Sequence, residues 1–239
     1  MAKTKNEKKP TSSGWLRLSL ELIVVFVGVT GGFLFDSYRE DRSDRKLEQK
    51  YLQSLHQNLV ADSALINRHI AEDQNNLDIS KMAAYTMTQR ELPKDSALKV
   101  LSVIATFNNL NMQNATYESI VNSGSLGLIS DWTLREELVN YYRYQQSIRD
   151  VEEVYNAYIN SYVMPFLFNS LDLISGELAA DFRTDSKEFK NLTAGYYSLA
   201  LQKMEALLEI DSANNALLST YFVGNDGLQN IPDSAMQEN

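Results

Sequence analysis

The two histidines and the acids near them are the residues that first suggest chemistry in this chain. His69 is followed at helical spacing by Glu72 and Asp73, a set that a divalent metal could bind. His56 lies 13 residues earlier, so on one helix the two imidazoles point to different faces. One imidazole with two acids is more often a solvated helix face, and we predict no metal site and no cofactor.

Motifs of known catalytic sites are missing from the sequence. It has no G-x-S-x-G elbow, no phosphate-binding glycine loop and no H-E-x-x-H. The absence of cysteine excludes thiol catalysis, disulfides and thiolate metal sites. The segment from Ser123 to Gly127 could form an anion-binding nest, although a helix C-cap followed by a turn explains it better. We predict that the protein is not an enzyme.

Glu21 is a carboxylate within an apolar run, WLRLSLELIVVFVGVTGGFLF. A charge there is costly unless it is paired or close to the membrane surface. Arg17 lies one turn earlier on the same helix face and can pair with it. The pair can therefore snorkel to the cytoplasmic edge of the membrane, or Glu21 can contact a partner span.

The element that positions Glu21 is a predicted transmembrane helix over residues 15–35. Leu16 to Phe35 would span about 30 Å, the thickness of the hydrocarbon core. The residues from Phe33 onward are too bulky for signal-peptide cleavage, so we predict an uncleaved anchor. Trp15, Arg17 and Tyr38 would lie at the two interfaces.

A small-residue face lies in the middle of this span. Gly28 and Gly32 form G-x-x-x-G, with Gly31 beside them. Such a face lets membrane helices pack closely, either in a homo-oligomer or against another membrane protein.

The distribution of charge indicates how the span is oriented in the membrane and which partners the soluble part can bind. Five Lys or Arg residues lie on each side of the span, but long downstream domains translocate largely regardless of charge. We predict a cytoplasmic N-terminus and a main domain outside the cytoplasm. Residues 36–239 contain 17 basic and 29 acidic side chains, a net charge of −12, which argues against nucleic acid as a partner.

The soluble part is predicted to be all-α, with the span continuing into a stalk and an antiparallel helical bundle. No Pro or Gly occurs in residues 36–91. The predicted domains are a disordered basic tail (1–14), the span (15–35), a charged helical stalk (36–50), the bundle (51–222) and a disordered tail (223–239). Apolar residues at helical spacing mark the first and last bundle helices: Leu52, Leu55, Leu59, Ile66, Ile70 and Leu77, then Tyr197, Leu201, Met204, Leu208 and Leu217.

A heptad seam indicates a coiled-coil helix that starts near Trp132, with Ser130 or Asp131 as its cap. A shorter helix before it is predicted to have Thr116 as N-cap and Gly124 at its end. The seam residues recur every seven positions: Leu134, Tyr141, Ile148, Tyr155 and Tyr162, flanked by Tyr144, Val151 and Tyr158. Packing against the first bundle helix explains the seam. The alternative is a partner or ligand groove beside Pro165, lined by Tyr155, Tyr158, Tyr162, Phe166 and Phe168.

The span and its exit contain a Glu, a Gly seven positions later and an aromatic-x-Glu-x-Arg sequence: Glu21, Gly28, Tyr38, Glu40 and Arg42. A second ordered set follows: Tyr117, Glu118, Ser119, Ser123, Gly124, Leu128, Ile129, Leu134, Arg135, Tyr141 and Tyr142. In the order and spacing of these residues, most of residues 20–145 resembles an uncharacterised family of single-span bacterial membrane proteins, although Tyr38 departs from the usual Trp. The resemblance implies a membrane-anchored helical protein and assigns no activity. We predict that its location is the bacterial inner membrane.

Together these features predict a non-enzymatic scaffold or accessory module in the lipid bilayer. It would assemble with itself or with another envelope protein through its span and bundle. The alternative is a sensor-like bundle that binds a ligand outside the cytoplasm and signals through a partner membrane protein.

Overall fold

The computed structural model describes residues 13–222, and its regular elements are helices. They are α1 (Ser13–Gln89), α2 (Lys94–Ile104), α3 (Ala115–Asn122), a 3-10 turn (Ser125–Leu128), α4 (Trp132–Tyr158), a π-helix (Ile159–Val163), α5 (Met164–Ser170) and α6 (Lys187–Tyr221). Within these residues the only β-type pairing is an isolated bridge between Leu171 and Leu178. The predicted all-α class is confirmed.

The chain divides between Gln49 and Lys50 into two compact units, and α1 contributes residues to both. In the first unit, one helix is long and apolar enough to cross a membrane, and its apolar window is 0 % buried. α1 already begins at Ser13, within the predicted disordered tail. The remainder of that tail, and the predicted tail at 223–239, lie outside the described residues.

The second unit contains two hydrophobic clusters. The first core cluster joins the middle of α1 to the first half of α4 and the second half of α6; it includes Leu52, Leu55, Leu59, Ile66, Leu138, Tyr141, Ile148, Leu207 and Ile210. The second core cluster joins the end of α1 to α2, the end of α4, α5 and the start of α6; it includes Leu77, Met87, Leu101, Ile104, Tyr155, Phe166, Phe189 and Tyr196.

The heptad seam of α4 is buried at four of its five predicted positions. Leu134, Tyr141, Ile148 and Tyr155 are core residues, which confirms this part of the prediction. Tyr162 is 61 % exposed, so the seam does not continue to it. The cause is the π-helix at Ile159–Val163, because each π-turn holds one residue more than an α-turn and rotates the following side chains. Ile159 and Val163 are buried there instead.

Two of the three helix caps predicted from the sequence are present in the structure. The Asp131 carboxylate accepts the N–H groups of Thr133 (2.8 Å) and Leu134 (3.0 Å) and caps α4. Gly124, with φ of 71°, takes up the left-handed conformation just after α3. Thr116 is not the N-cap of α3, because Asn114 precedes the helix and the Thr116 hydroxyl instead accepts a hydrogen bond from Asn58 at 2.9 Å.

The predicted apolar face of α6 is buried at two of its five residues, Met204 and Leu217. Leu201 and Leu208 are 42 % and 53 % exposed, and the face that packs inward also contains Lys203 and Asn214. Since those two residues are polar, part of the inward stripe does not show in the apolar pattern. In α1, likewise, His69 is buried, while the predicted Ile70 is partly buried and packs against the first core cluster.

Candidate functional site

Seven acidic, basic, imidazole or carboxamide side chains of the long helices are buried at core positions of the second unit. They come from α1, α4 and α6: Asp62, His69, Asp73, Gln145, Glu152, Lys203 and Asn214. Buried polar groups are tolerated where they are hydrogen-bonded or paired. Their partners therefore define what this part of the molecule does.

Asp62 is the centre of a hydrogen-bonded group within the first core cluster. Its carboxylate accepts the Tyr141 hydroxyl at 2.9 Å, the Gln145 amide at 3.3 Å and the backbone N–H of Gln113 at 2.9 Å. The Asn214 amide donates to the Tyr141 hydroxyl and to the Leu59 carbonyl, each at 3.1 Å. The group thus connects three helices with the segment before α3.

Burial changes the acidity of this group. It raises the pKa of the Asp62 carboxyl, and the Gln113 N–H and the Tyr141 hydroxyl oppose part of that rise. Burial, reinforced by the negative charge of Asp62, also raises the pKa of the Tyr141 hydroxyl. Tyr141 therefore stays neutral and serves as a hydrogen-bond donor.

A charged layer of Asp73, Glu152 and Lys203 lies between the two core clusters along each of the three helices. Lys203 Nζ is 3.0 Å from Asp73 Oδ2 and 3.8 Å from Glu152 Oε1. All three side chains are less than 10 % exposed. Because breaking a buried ion pair leaves an uncompensated charge, the layer favours the alignment in which all three meet.

The segment between α2 and α3, residues 105–114, is attached to these buried groups. Lys203 Nζ donates to the carbonyl of Asn108, whose side-chain amide donates to Asp73 at 3.1 Å. The backbone N–H of Leu110 donates to Glu152 at 2.7 Å. Burial raises the pKa of Glu152, and the Leu110 N–H and Lys203 act against that rise. Carboxylates of α1 and α4 thus fix the course of the loop.

His69 lies beside this charged layer rather than on a solvated face. It is 6 % exposed, and its Nδ1 has no hydrogen-bond partner among the described residues. Burial lowers the pKa of His69, and the positive charge of Lys203 lowers it further. The imidazole is therefore kept neutral in the folded protein.

The chemistry of the charged layer is that of a structural ion pair. Lys203 is occupied by two carboxylates and a carbonyl oxygen, and Glu152 by a backbone N–H and the ammonium group. Within the described residues, no three His, Cys, Asp or Glu side chains are grouped so as to hold a metal ion.

A polar cleft of about 470 Å³ lies between the 105–114 segment and α4. Carboxamides, one guanidinium and two carboxylates form most of its wall: Asn109, Asn111, Asn114, Arg149, Glu152, Glu153 and Asn156, together with Leu110 and Met112. Asn156 donates to Asn109 at 3.0 Å across the cleft wall, while Asn156 Oδ1 has no partner there. The cleft therefore presents hydrogen-bond donors and acceptors beside the apolar side chains of Leu110 and Met112.

The five residues predicted to line a groove beside Pro165 do not all share one surface. Tyr155 and Phe166 are buried in the second core cluster, and Phe168 is 58 % exposed on α5. Tyr158 and Tyr162 line a cavity of about 300 Å³ with Glu188, Asn191, Leu192 and Gly195. The groove therefore stays a prediction, and this cavity contains two of its five residues.

The predicted membrane-packing residues lie on the exposed apolar part of α1. Arg17 Nε is 3.5 Å from Glu21 Oε1, so the predicted pair is formed. Among the residues that the structure describes, no atom lies within 4 Å of a Cβ placed on Gly28, Gly31 or Gly32, beyond the neighbours along the helix. Trp15 and Tyr38, the predicted interface anchors, are also exposed.

The buried polar residues could have been found from their spacing, though not from their type. Asp62 falls midway between Leu59 and Ile66, where the helical stripe of α1 requires a core residue. Gln145 and Glu152 continue, at intervals of seven, a row that begins at Leu138. Hydrophobicity alone cannot detect a stripe whose members include charges.

Comparison of the chain with protein-family models, curated proteins and solved structures found no match in any of the three. The resemblance to single-span bacterial membrane proteins therefore stays a prediction.

Proposed function

We propose that this protein is a membrane-anchored, non-enzymatic helical module that assembles with itself or with another envelope protein. In this proposal it lies in the bacterial inner membrane, with its N-terminus in the cytoplasm and its main domain outside. The single observation that carries the proposal is the apolar part of α1, which is 0 % buried and has glycines in its middle. An exposed apolar helix needs lipid or a partner around it.

The contacts of the second unit support a bundle as the assembling domain. Asn214, late in α6, bonds to Leu59 and Tyr141, whereas Lys203, earlier in α6, meets Asp73 and Glu152. Residue numbers thus fall along α6 as they rise along α1 and α4. These contacts support a bundle in which α6 is antiparallel to the other two helices, while α1 and α4 run in the same direction.

The assembly role of the span is tested by replacing Gly28 and Gly32 with Leu. We expect the double variant to have a smaller particle mass in detergent by analytical ultracentrifugation, since Leu side chains prevent close helix approach. Phe26→Leu is the matched control, because position 26 lies across the helix from the glycines and already carries a large side chain. An unchanged mass in the Gly28→Leu/Gly32→Leu variant contradicts this role.

Orientation is open to a direct test because the chain has no cysteine. Single variants Ser12→Cys and Ser96→Cys each carry one thiol for a membrane-impermeant reagent. We expect intact cells to label Ser96→Cys only and lysed cells to label both. The reverse pattern would place the main domain in the cytoplasm.

A second candidate function, ligand binding by a sensor-like bundle, is favoured by the polar cleft beside residues 105–114. Its size suits a small polar molecule, and Arg149 is one of its charged groups. Thermal unfolding of the full chain with a panel of small polar compounds tests this function. A stabilising compound whose effect is lost in Arg149→Met supports it, and no stabilisation by any compound argues against it.

A further inference from the structure

α6 carries a second apolar stripe beside the one that packs inward. Tyr197, Leu201, Met204 and Leu208 follow one another at intervals of four, three and four, the spacing of the a and d positions of a coiled coil. The inward stripe uses different residues, including Tyr196, Ala200, Lys203 and Leu207. Leu201 and Leu208 are 42 % and 53 % exposed, so the second stripe lacks a complete partner within the described chain.

Leu201, Met204 and Leu208 of this second stripe line a shallow groove of about 810 Å³ with Tyr144 of α4. Met204 is buried, whereas the two leucines are exposed. The other lining residues are Glu205, Glu209 and Ser212. Exposed leucines at the a and d spacing can pack against the apolar side chains of a further helix.

The charge of the groove restricts its occupant. Glu205 and Glu209 are exposed beside the leucines, and no Lys or Arg of residues 13–222 lines the groove. Residues at the e and g positions of a coiled coil set partner choice through interhelical ion pairs, and Glu205 occupies an e position here, with Glu209 one turn further along the groove. The same groove of a second copy would place Glu opposite Glu, whereas a helix with flanking Lys or Arg would neutralise both acids.

We propose that this groove binds an amphipathic helix of a partner protein, with apolar residues at its a and d positions and Lys or Arg at its flanks. The inference rests on the proposed function and specifies the partner class of that assembly. It concerns the second unit alone, so its test is independent of the glycines in the span.

The experiment uses the full chain in nanodiscs of zwitterionic lipid. Two fluorescent synthetic helices about three heptads long carry Leu at a and d, one with Lys at the flanks and the other with Glu. We expect the Lys-flanked helix to bind the wild type at least about tenfold more tightly than the Glu-flanked one, by fluorescence anisotropy. The Glu205→Lys/Glu209→Lys variant should reverse this preference. The Leu201→Gln/Leu208→Gln variant should bind both peptides about tenfold or more weakly than the wild type does.

Val154→Gln is the control, since Val154 is 58 % exposed on α4 and does not line the groove. It should bind as the wild type does, and circular dichroism of every variant checks that the fold is kept. Failure of the Lys-flanked helix to bind, or unchanged binding to Leu201→Gln/Leu208→Gln, overturns the proposal. A change of particle mass in that variant without peptide would assign the groove to a second copy and also overturn it.

Discussion

The two core clusters of the second unit are specified by different kinds of interaction. The first surrounds Asp62, whose carboxylate accepts three directional hydrogen bonds. The second contains a group of aromatic rings, in which the ring centroid of Phe189 is 6.1 Å from that of Phe166 and 5.5 Å from that of Phe182. The charged layer separates them along α1, α4 and α6.

This difference indicates how each cluster tolerates change. A cluster built on hydrogen bonds loses most when one partner is removed and the other remains buried. A cluster built on shape loses most when volume is added or removed. A destabilising substitution in the first core cluster should therefore be compensated by also removing the unpaired partner, and one in the second core cluster by restoring the volume.

The largest effect is expected for Lys203→Met in the charged layer. It leaves Asp73 and Glu152 buried without their cation, and loss of one partner of a buried pair costs about 3–5 kcal/mol. Urea unfolding of the detergent-solubilised chain, followed by circular dichroism, measures the free energy of unfolding. Adding Asp73→Asn and Glu152→Gln to Lys203→Met should restore much of the loss.

Lys81→Met is the control for this substitution because Lys81 is exposed on α1. We expect it to change the free energy of unfolding by less than about 0.5 kcal/mol. Equal effects of Lys81→Met and Lys203→Met would show that the charged layer contributes nothing specific.

A smaller loss, about 1–3 kcal/mol, is expected for Tyr141→Phe in the first core cluster. The substitution keeps the ring but removes the hydroxyl that donates to Asp62 and accepts from Asn214. Tyr144→Phe, on the same helix and half-buried, should be close to neutral. The same unfolding measurement applies, and a neutral Tyr141→Phe would contradict the role given to hydrogen bonds in this cluster.

The Gly195→Ala substitution tests how closely side chains are packed at the edge of the second core cluster. An added Cβ would lie 2.5 Å from the Tyr158 hydroxyl, which donates to the Leu192 carbonyl at 2.9 Å. The crowding should outweigh the gain in helix propensity and destabilise the protein by about 1 kcal/mol. In a Tyr158→Ala background the sign should reverse. Destabilisation of the same size in both backgrounds would rule out crowding as the cause.

The smallest effect concerns the pH dependence of His69. The pKa of His69 is lowered in the folded state, so near pH 6.5, about the ordinary pKa of histidine, the unfolded chain binds a proton more readily than the folded protein does. The free energy of unfolding therefore decreases as the pH is lowered through this range. His69→Gln should lose less stability than the wild type between about pH 7.5 and 5.5. The raised pKa values of Asp62 and Glu152 act in the opposite direction at lower pH and are common to both proteins. Identical pH profiles would contradict the buried, neutral state of His69.

Sequence patterns were sufficient for the helical class and for the seam of α4 up to Tyr155. They failed for Tyr162 because a π-helix is not encoded in a heptad count. For α6 they identified the buried Met204 and Leu217 but also selected the exposed Leu201 and Leu208, because Lys203 and Asn214 interrupt the apolar pattern of the buried face.

The buried polar groups were missed for a related reason. Asp73 and Lys203 are ordinary surface residues by type, and only the meeting of α1, α4 and α6 makes them a pair. The spacing of His69 and Asp73 predicts a solvated helix face, whereas both side chains are buried. Long-range pairing is set by tertiary packing, which a single helix pattern does not contain.

The π-helix at Ile159–Val163 also affects how this part of the chain tolerates a change of length. Its turn contains one residue that a regular α-helix would not need. Deleting Asn160 would convert the turn to α-helix and leave the later side chains of α5 on their present faces, because Val163 already occupies the buried seam position that the heptad count gives to residue 162. An insertion or deletion elsewhere in α4 would misalign the core, whereas here one residue decides between two helical forms. The protein can therefore lose one residue at this point and keep the packing of its second core cluster.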